Sequence, residues 1–272
     1  MKRGGLDPLV IDNGIGALEK AEKIENYYGL PEPVTGVQLY ENGLVQAKRL
    51  GIRIMQAQVL GIEGFDTFEI KTTEGSLEAE AVILATGSRR KAPRIPGLKE
   101  LEGKGVSYCA ICDAFFYRGK EVAILGHSDY ALHEAEILSH TASKVTIFTD
   151  GKETELPENI PFEVIKGKIE KIEGDPLVTG IRLEGDKDPV AVSGVFVAFG
   201  SAGSSDIARQ MGAELTEAGN IKVNQDMEST IPGLYAAGDC TGGLLQVAKA
   251  VHEGAVAGLA ASKYVRNRNS GN

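Results

Sequence analysis

The chain is poor in the residues that staple small folds or hold metals: three cysteines and four histidines in 272 residues. Three thiols cannot form the disulfide framework of a small secreted domain. A structural zinc site asks for about four ligands. Beyond one C-x-x-C pair the chain offers only Cys240 and the scattered His127, His133, His140 and His252. Long apolar runs are also missing, and a membrane span takes roughly 18 consecutive apolar residues. Met1-Lys2-Arg3 is basic, but no signal-peptide core follows it. Basic residues number 29 against 38 acidic ones, a formal charge of −9. That balance argues against nucleic acid, whose phosphates ask for a basic surface. The chain therefore reads as cytoplasmic, with neither a nucleic-acid nor a membrane partner.

What is present is length, glycine and one reactive motif. The length, with 42% hydrophobic and 25% charged residues, suits a globular protein of two domains. The 34 glycines show no collagen period and favour tight turns and close backbone approach to ligands. Cys109-Ala110-Ile111-Cys112 is followed at once by Asp113. Two thiols at this spacing can pass between dithiol and disulfide, and an adjacent acid can deliver or remove the proton. In a reducing compartment such a pair is more often catalytic or metal-binding than structural. A thioredoxin-like domain does not account for it. That small fold would leave most of the chain unexplained, and the tryptophan usual beside its cysteines is absent altogether.

Along the chain, Leu9-Val10-Ile11-Asp12 reads as a second Rossmann strand ending in the acid that reaches a ribose. The strand, G-x-G-x-x-G turn and helix expected before it are not in this sequence, and Met1 to Leu6 resembles the tail of that helix. A misplaced start, a truncation or a missing pyrophosphate cradle each fit. Apolar spacing over 36–51 predicts an amphipathic helix stopped by Gly51. Strands are expected at 52–54, 67–72 and 81–84, the last running into Ala85-Thr86-Gly87, a small-residue turn that lets backbone approach a bound dinucleotide. The basic, proline-containing segment from Arg89 to Gly97 reads as an inter-domain crossing. A second βαβ unit begins at 121–125, turns through Gly126-His127-Ser128-Asp129-Tyr130-Ala131, and continues as a helix to about 141 and a strand at 144–149. Further strands follow at 162–165, 178–183 and 195–199. The chain then crosses back near 200–205 and ends in a helix over 246–264.

In this order the pieces resemble the low-molecular-weight thioredoxin reductases. The stretches that carry the likeness are Ile24-Glu25-Asn26-Tyr27-Tyr28-Gly29, Ala85-Thr86-Gly87, Gly105 through Asp113, and Ile231 through Gly238-Asp239-Cys240 to Glu253-Gly254-Ala255. The resemblance implies an α/β fold of two Rossmann-like three-layer domains, FAD-binding and pyridine-nucleotide-like. The first is split, 1–92 with 206–272, and lacks its first strand and helix; the second spans 93–205 and carries the cysteines. It implies a homodimer, and Cys112 nearer the flavin as charge-transfer thiolate, with Cys109 attacking the substrate disulfide and Asp113 giving the proton. Asp239 would hold the ribityl or phosphate region, with Gly238 allowing close approach. Gln246, Val247 and Ala248 would open the helix that faces the isoalloxazine ring. Asn26 would contact the flavin, and Asp12 the adenosine ribose.

Two departures bear on the electron donor. NADPH-using members carry G-x-G-x-x-A and then a basic H-R-R cluster. Here Ser128 takes the second-glycine position, Tyr130 adds bulk beside it, and Thr149-Asp150-Gly151 replaces the cluster. A side chain at Ser128 obstructs the pyrophosphate, and an aspartate repels a 2′-phosphate, so NADPH is disfavoured. NADH stays possible, because Asp150 lies 24 residues after Gly126, near the distance of a ribose-binding acid. The preferred reading is that this domain keeps its fold only to carry the cysteines, with Asp150 solvated. Electrons would then come from ferredoxin, as in ferredoxin-dependent flavin thioredoxin reductases. The step is downhill: about −400 mV for a plant-type ferredoxin against about −270 mV for thioredoxin is roughly 6 kcal/mol over two electrons. Arg89, Arg90, Lys91 and Arg94 offer a basic patch for an acidic ferredoxin. The expected function is an FAD-containing reductase of thioredoxin or a thioredoxin-like protein. The alternative is a reductase of thioredoxin or of a peroxiredoxin system that draws on NADH, or less readily on NADPH, and an inactive or binding-only fragment lacking a complete FAD site is the rival of another class. Cys240 is expected to be packed and inert.

Overall fold

The computed structural model describes residues 1–2, 5–87, 93–200 and 203–270. The chain divides into two compact units, Met1–Arg89 with Gly203–Asn272, and Arg90–Ala202. The second unit is built on a parallel sheet. Its strands are β7 (Val106–Ser107), β8 (Glu121–Leu125), β9 (Lys144–Phe148), β10 (Glu163–Ile165) and β14 (Gly194–Val197), in the order β10-β9-β8-β14-β7. β8 and β9 are buried at four of five positions each, as strands covered on both faces must be. One cover is α3 (Asp129–Ser139), which buries Tyr130, Ala131, Glu134, Ala135 and Leu138 along one stripe. The other is an antiparallel sheet of β11 (Ile169–Gly174), β12 (Val178–Leu183) and β13 (Val190–Ala191). Its Ile169, Ile172, Val178 and Ile181 pack with Ala123, Leu125, Phe148 and Val195 of the parallel strands. Emptying such a position, for example Ile181→Ala, costs about 2–5 kcal/mol.

In the first unit β1 (Leu9–Asp12) runs parallel to β2 (Arg53–Gln56), and the register sets Asp12 opposite Gln56. Ahead of β1, Gly5 closes a turn, its N–H donating to the Lys2 carbonyl at 3.0 Å. The connection to β2 contains α1 (Gly36–Arg49). Thr35 starts this helix with a reciprocal capping box: its Oγ1 accepts from the Gln38 N–H at 3.1 Å, and its own N–H donates to Gln38 Oε1 at 2.9 Å. A meander of β3 (Val59–Glu63), β4 (Phe68–Thr72) and β5 (Gly75–Ala79) follows. β6 (Val82–Leu84) then pairs in parallel with β15 (Leu234–Ala236). α4 (Ser204–Gln210) and the 23-residue α5 (Val247–Asn269) complete the unit. Tyr235 and Ala237 pack there against Ala257 and Ala261 of α5.

Candidate active site

Cys109 and Cys112 are joined as a disulfide, their Cα atoms 5.3 Å apart. The pair is set by β7 and by α2 (Ala110–Asp113), a single turn whose N-cap is Cys109. Cys109 Sγ accepts the Cys112 N–H at 3.2 Å. Two polar groups fix the turn from outside it. Ser107 Oγ accepts the Cys109 N–H at 3.0 Å and donates to Asp113 Oδ2 at 2.6 Å. Glu134, reaching from α3, accepts the Ala110 N–H at 2.9 Å. Cys109 is buried and Cys112 exposed. Ile111, Phe115 and Phe116 stand exposed around them, with the Arg118 guanidinium 5.7 Å from the Phe115 ring centre. Burial, then the charge of Asp113, pushes the Tyr117 hydroxyl above its ordinary pKa. An acid, two sulfurs and an apolar rim meet within a few residues.

The turn after β8 is filled by its own chain. A Cβ on Gly126 would lie 2.4 Å from the Ala198 carbonyl oxygen, so strand and helix meet here only without a side chain. Ser128 is buried and donates to the Gly200 carbonyl at 2.7 Å. The Glu155 N–H donates to the His127 carbonyl at 2.9 Å, bringing that segment onto the turn. Tyr130 is 2% exposed, so its ring packs inside instead of adding bulk beside a pyrophosphate, which corrects the expectation for it. Asp150 is a second correction: it is buried, not solvated. It sits with Gly151 at the centre of a tight turn, φ 53° and 74°, closed by the Lys152 N–H on the Thr149 carbonyl at 3.2 Å. Its Oδ1 accepts the Ile169 N–H at 2.9 Å, and its Oδ2 accepts from Lys168 Nζ at 3.0 Å. Asp150 thus ties the turn after β9 to β11, while the Asp-Gly pair itself signals only the turn. Of the basic patch, Arg89, Arg90 and Lys91 lie outside the described residues.

The residues expected to hold FAD all fall in the first unit. Asp12 ends β1 and accepts hydrogen bonds from Tyr40 Oη, from Gln56 Nε2 at 2.8 Å and from the Gly14 N–H at 3.1 Å. Burial opposes its ionisation, but these three donors outweigh that and hold its carboxyl below the usual range. Asn26 Nδ2 donates to Gln246 Oε1 at 2.7 Å, so residues 220 apart in sequence meet at the start of α5. Gln246 places no side-chain cap on that helix. Ala85 and Thr86 are exposed, but Thr86 is already engaged: its N–H donates to Ser204 Oγ at 3.2 Å, and its Oγ1 accepts the Ser204 N–H at 3.0 Å. Gly87 completes the turn at φ 83°. Val247 is half-buried and Ala248 exposed.

Gly238 takes φ 85° and ψ −150°, a conformation essentially confined to glycine. Its N–H is not open to a ligand, because it donates to Glu253 Oε2 at 2.8 Å. Glu253 also accepts from Thr241 Oγ1 at 2.9 Å and from Lys249 Nζ at 3.0 Å, while Lys249 Nζ donates to the Gly238 carbonyl at 2.8 Å. Burial opposes the Glu253 charge, but Lys249, the Gly238 N–H and Thr241 together hold its pKa below the ordinary value. This clamp fixes the loop that presents Asp239. Among the described residues the half-buried Asp239 carboxylate accepts no hydrogen bond. An unengaged acceptor on a rigid loop, an ionised acid at a strand end and an uncapped long helix fit the hydroxyls and acceptor atoms of a dinucleotide flavin. Cys240 behind them is buried, its Sγ 3.3 Å from the Ala237 carbonyl oxygen, and burial raises its pKa.

A parallel-sheet unit bearing a C-x-x-C disulfide, with a second unit suited to a flavin, defines a disulfide oxidoreductase. Residues 10–254 match the pyridine nucleotide-disulphide oxidoreductase family, and the chain belongs to it. Within that family its relatives are thioredoxin reductases. The one from Aquifex aeolicus (strain VF5) is 32% identical over 269 residues, covering 93% of this chain and 83% of the relative. The atypical thioredoxin reductase TRi from Desulfovibrio vulgaris Hildenborough is similar in structure, with TM-score 0.91 and 38% identity, covering 98% of this chain and 92% of that one. The ferredoxin-flavin thioredoxin reductase from Clostridium acetobutylicum follows at TM-score 0.68 and 33% identity, covering 96% and 98%. The chain is a thioredoxin reductase-like flavoprotein disulfide reductase, an α/β oxidoreductase for which the family implies FAD. No helix among the described residues is long and apolar enough to cross a membrane.

Proposed function

We propose that this chain passes electrons from reduced ferredoxin through FAD and the Cys109–Cys112 pair to thioredoxin, working as a cytoplasmic homodimer. The observation that carries the reading is the disulfide turn with Asp113 held on Ser107 beside it. FAD, when bound, supplies the two electrons that open this disulfide. In the dithiol the Cys112 N–H would remain on Cys109 Sγ and favour its thiolate, making Cys109 the attacking sulfur. That thiolate attacks one sulfur of the thioredoxin disulfide; a mixed disulfide forms, and the other thioredoxin sulfur leaves as thiolate. Cys112 then attacks Cys109 Sγ, restoring the enzyme disulfide and releasing dithiol thioredoxin. Asp113 moves the proton between leaving and attacking sulfurs. Because Cys109 is buried, attack follows a movement that uncovers it. The exposed Ile111, Phe115 and Phe116 offer apolar surface for the protein substrate.

The choice of donor rests on the turn after β8. Ser128 stands where a glycine would let backbone meet a pyrophosphate, and both Asp150 oxygens are already engaged. This disfavours NADPH and also weakens NADH, the alternative that the spacing of Asp150 raises. The likeness to the Clostridium acetobutylicum ferredoxin-flavin enzyme supports ferredoxin. Replacing Arg89, Arg90, Lys91 and Arg94 by glutamine should slow reduction by ferredoxin, most of all at low salt; an unchanged rate removes the patch. The sulfur roles are tested by mixing Cys112→Ser and Cys109→Ser variants with oxidised or activated thioredoxin. A stable mixed disulfide through Cys109 in the first variant supports the order given. Trapping only through Cys112 reverses it.

A further inference from the structure

Glu134 is a buried acid that the disulfide chemistry above does not use. It lies 2% exposed on α3, on one stripe with Tyr130, Ala131, Ala135 and Leu138, and one oxygen accepts the Ala110 N–H at 2.9 Å. Ala110 follows Cys109 directly, so this N–H belongs to the turn that bears both sulfurs. A buried carboxylate is costly unless it does something that a leucine could not. Two backbone N–H groups of the turn matter to the sulfurs: that of Cys112 points at Cys109 Sγ, and that of Ala110 is taken by Glu134. N–H groups at the start of a helical turn favour an adjacent thiolate, and a carboxylate on one of them opposes it. Ionisable side chains of this segment and of α3 include Tyr108 before Cys109, Asp113, bound to Ser107, Tyr117 in the turn after α2, and Tyr130 and His133 on the helix that carries Glu134.

We propose that Glu134 is a positioning residue whose negative charge, fixed on the Ala110 N–H, sets the redox poise of the Cys109–Cys112 couple. Reduction adds two electrons and two protons to the disulfide, or one proton fewer where one sulfur remains thiolate. By disfavouring that thiolate, Glu134 disfavours the reduced form at alkaline pH. It thereby keeps the couple reducing towards its protein substrate. The proposal rests on the reading of this pair as the electron relay, but its measurement needs neither thioredoxin nor ferredoxin.

The test equilibrates the full-length flavoprotein anaerobically with dithiothreitol buffers between about pH 6.5 and 8.5, the region of a free thiol's pKa. The dithiol fraction is then trapped with a maleimide and counted by mass. Glu134→Gln keeps an acceptor for Ala110 and removes the charge. It should shift the equilibrium about fivefold towards dithiol at pH 8.5, or ~20 mV by the two-electron relation, with little change at pH 6.5. Its alkylation at intermediate pH should be several-fold faster. Glu134→Asp, which keeps the charge, should stay near the parent protein. Equal shifts in both variants, a shift independent of pH, or no shift in Glu134→Gln would each overturn the proposal. A parent protein whose pair does not exchange with dithiothreitol at all would overturn the relay reading instead.

Discussion

Asp150 shows how one side chain can change the meaning of a position. At the place where a nucleotide-binding acid or arginine is expected, its carboxylate holds the Ile169 N–H and Lys168. Asp150→Ala should therefore lower stability by about 1–3 kcal/mol through the orphaned N–H, read as a fall in the unfolding midpoint in urea. Asp150→Asn, which keeps an acceptor, should lose less, and neither variant should gain affinity for NADH in a calorimetric titration. Asp113 is the contrasting case, an acid to which the proposed function gives the proton transfer. Asp113→Asn preserves the shape on Ser107 but removes the proton carrier, so thioredoxin turnover should fall about 10²–10⁴-fold with flavin content unchanged. The sequence marked Cys109, Cys112 and Asp113 through adjacency alone. It did not mark Ser107 or Glu134, because a serine in a strand and a glutamate in a helix read as ordinary surface until their partners are known.

At the scale of elements, legibility followed periodicity. Helix α1, with its stop at Gly51, and strands β8 and β9 were readable because their apolar spacing is regular. Strands β3, β5 and β11 were not: Gly61 interrupts the first, Gly75 and Ser76 open the second, and Glu170, Lys171 and Glu173 break the alternation of the third. Their strand character comes from antiparallel neighbours, which a single segment does not reveal. The start of α5 was expected as a flavin contact, yet its Lys249–Glu253 clamp on Gly238 went unread. The clamp gives a pH signature. Because the Glu253 pKa is lowered on folding, its stabilisation is complete above the ordinary carboxyl range and is lost as pH falls through the folded value. Between about pH 5 and 3, thermal unfolding should show the parent protein losing more stability than Glu253→Gln. Parallel acid limbs would remove the clamp from this account.

For the whole molecule, the residues expected to hold FAD lie in one compact unit and the cysteine turn in the other. The net charge of −9 sets the terms of any encounter with an acidic ferredoxin: attraction must be local, and so should weaken with salt. The central claim is that electrons enter without a nicotinamide. The direct measurement is an anaerobic titration of the purified flavoprotein, following its visible absorption with NADPH, then NADH, then reduced ferredoxin. Bleaching by ferredoxin alone, with the Cys109–Cys112 disulfide opened in step, is the result expected. Stoichiometric bleaching by either nicotinamide would contradict the reading of Ser128 and Asp150 and make this a pyridine-nucleotide enzyme.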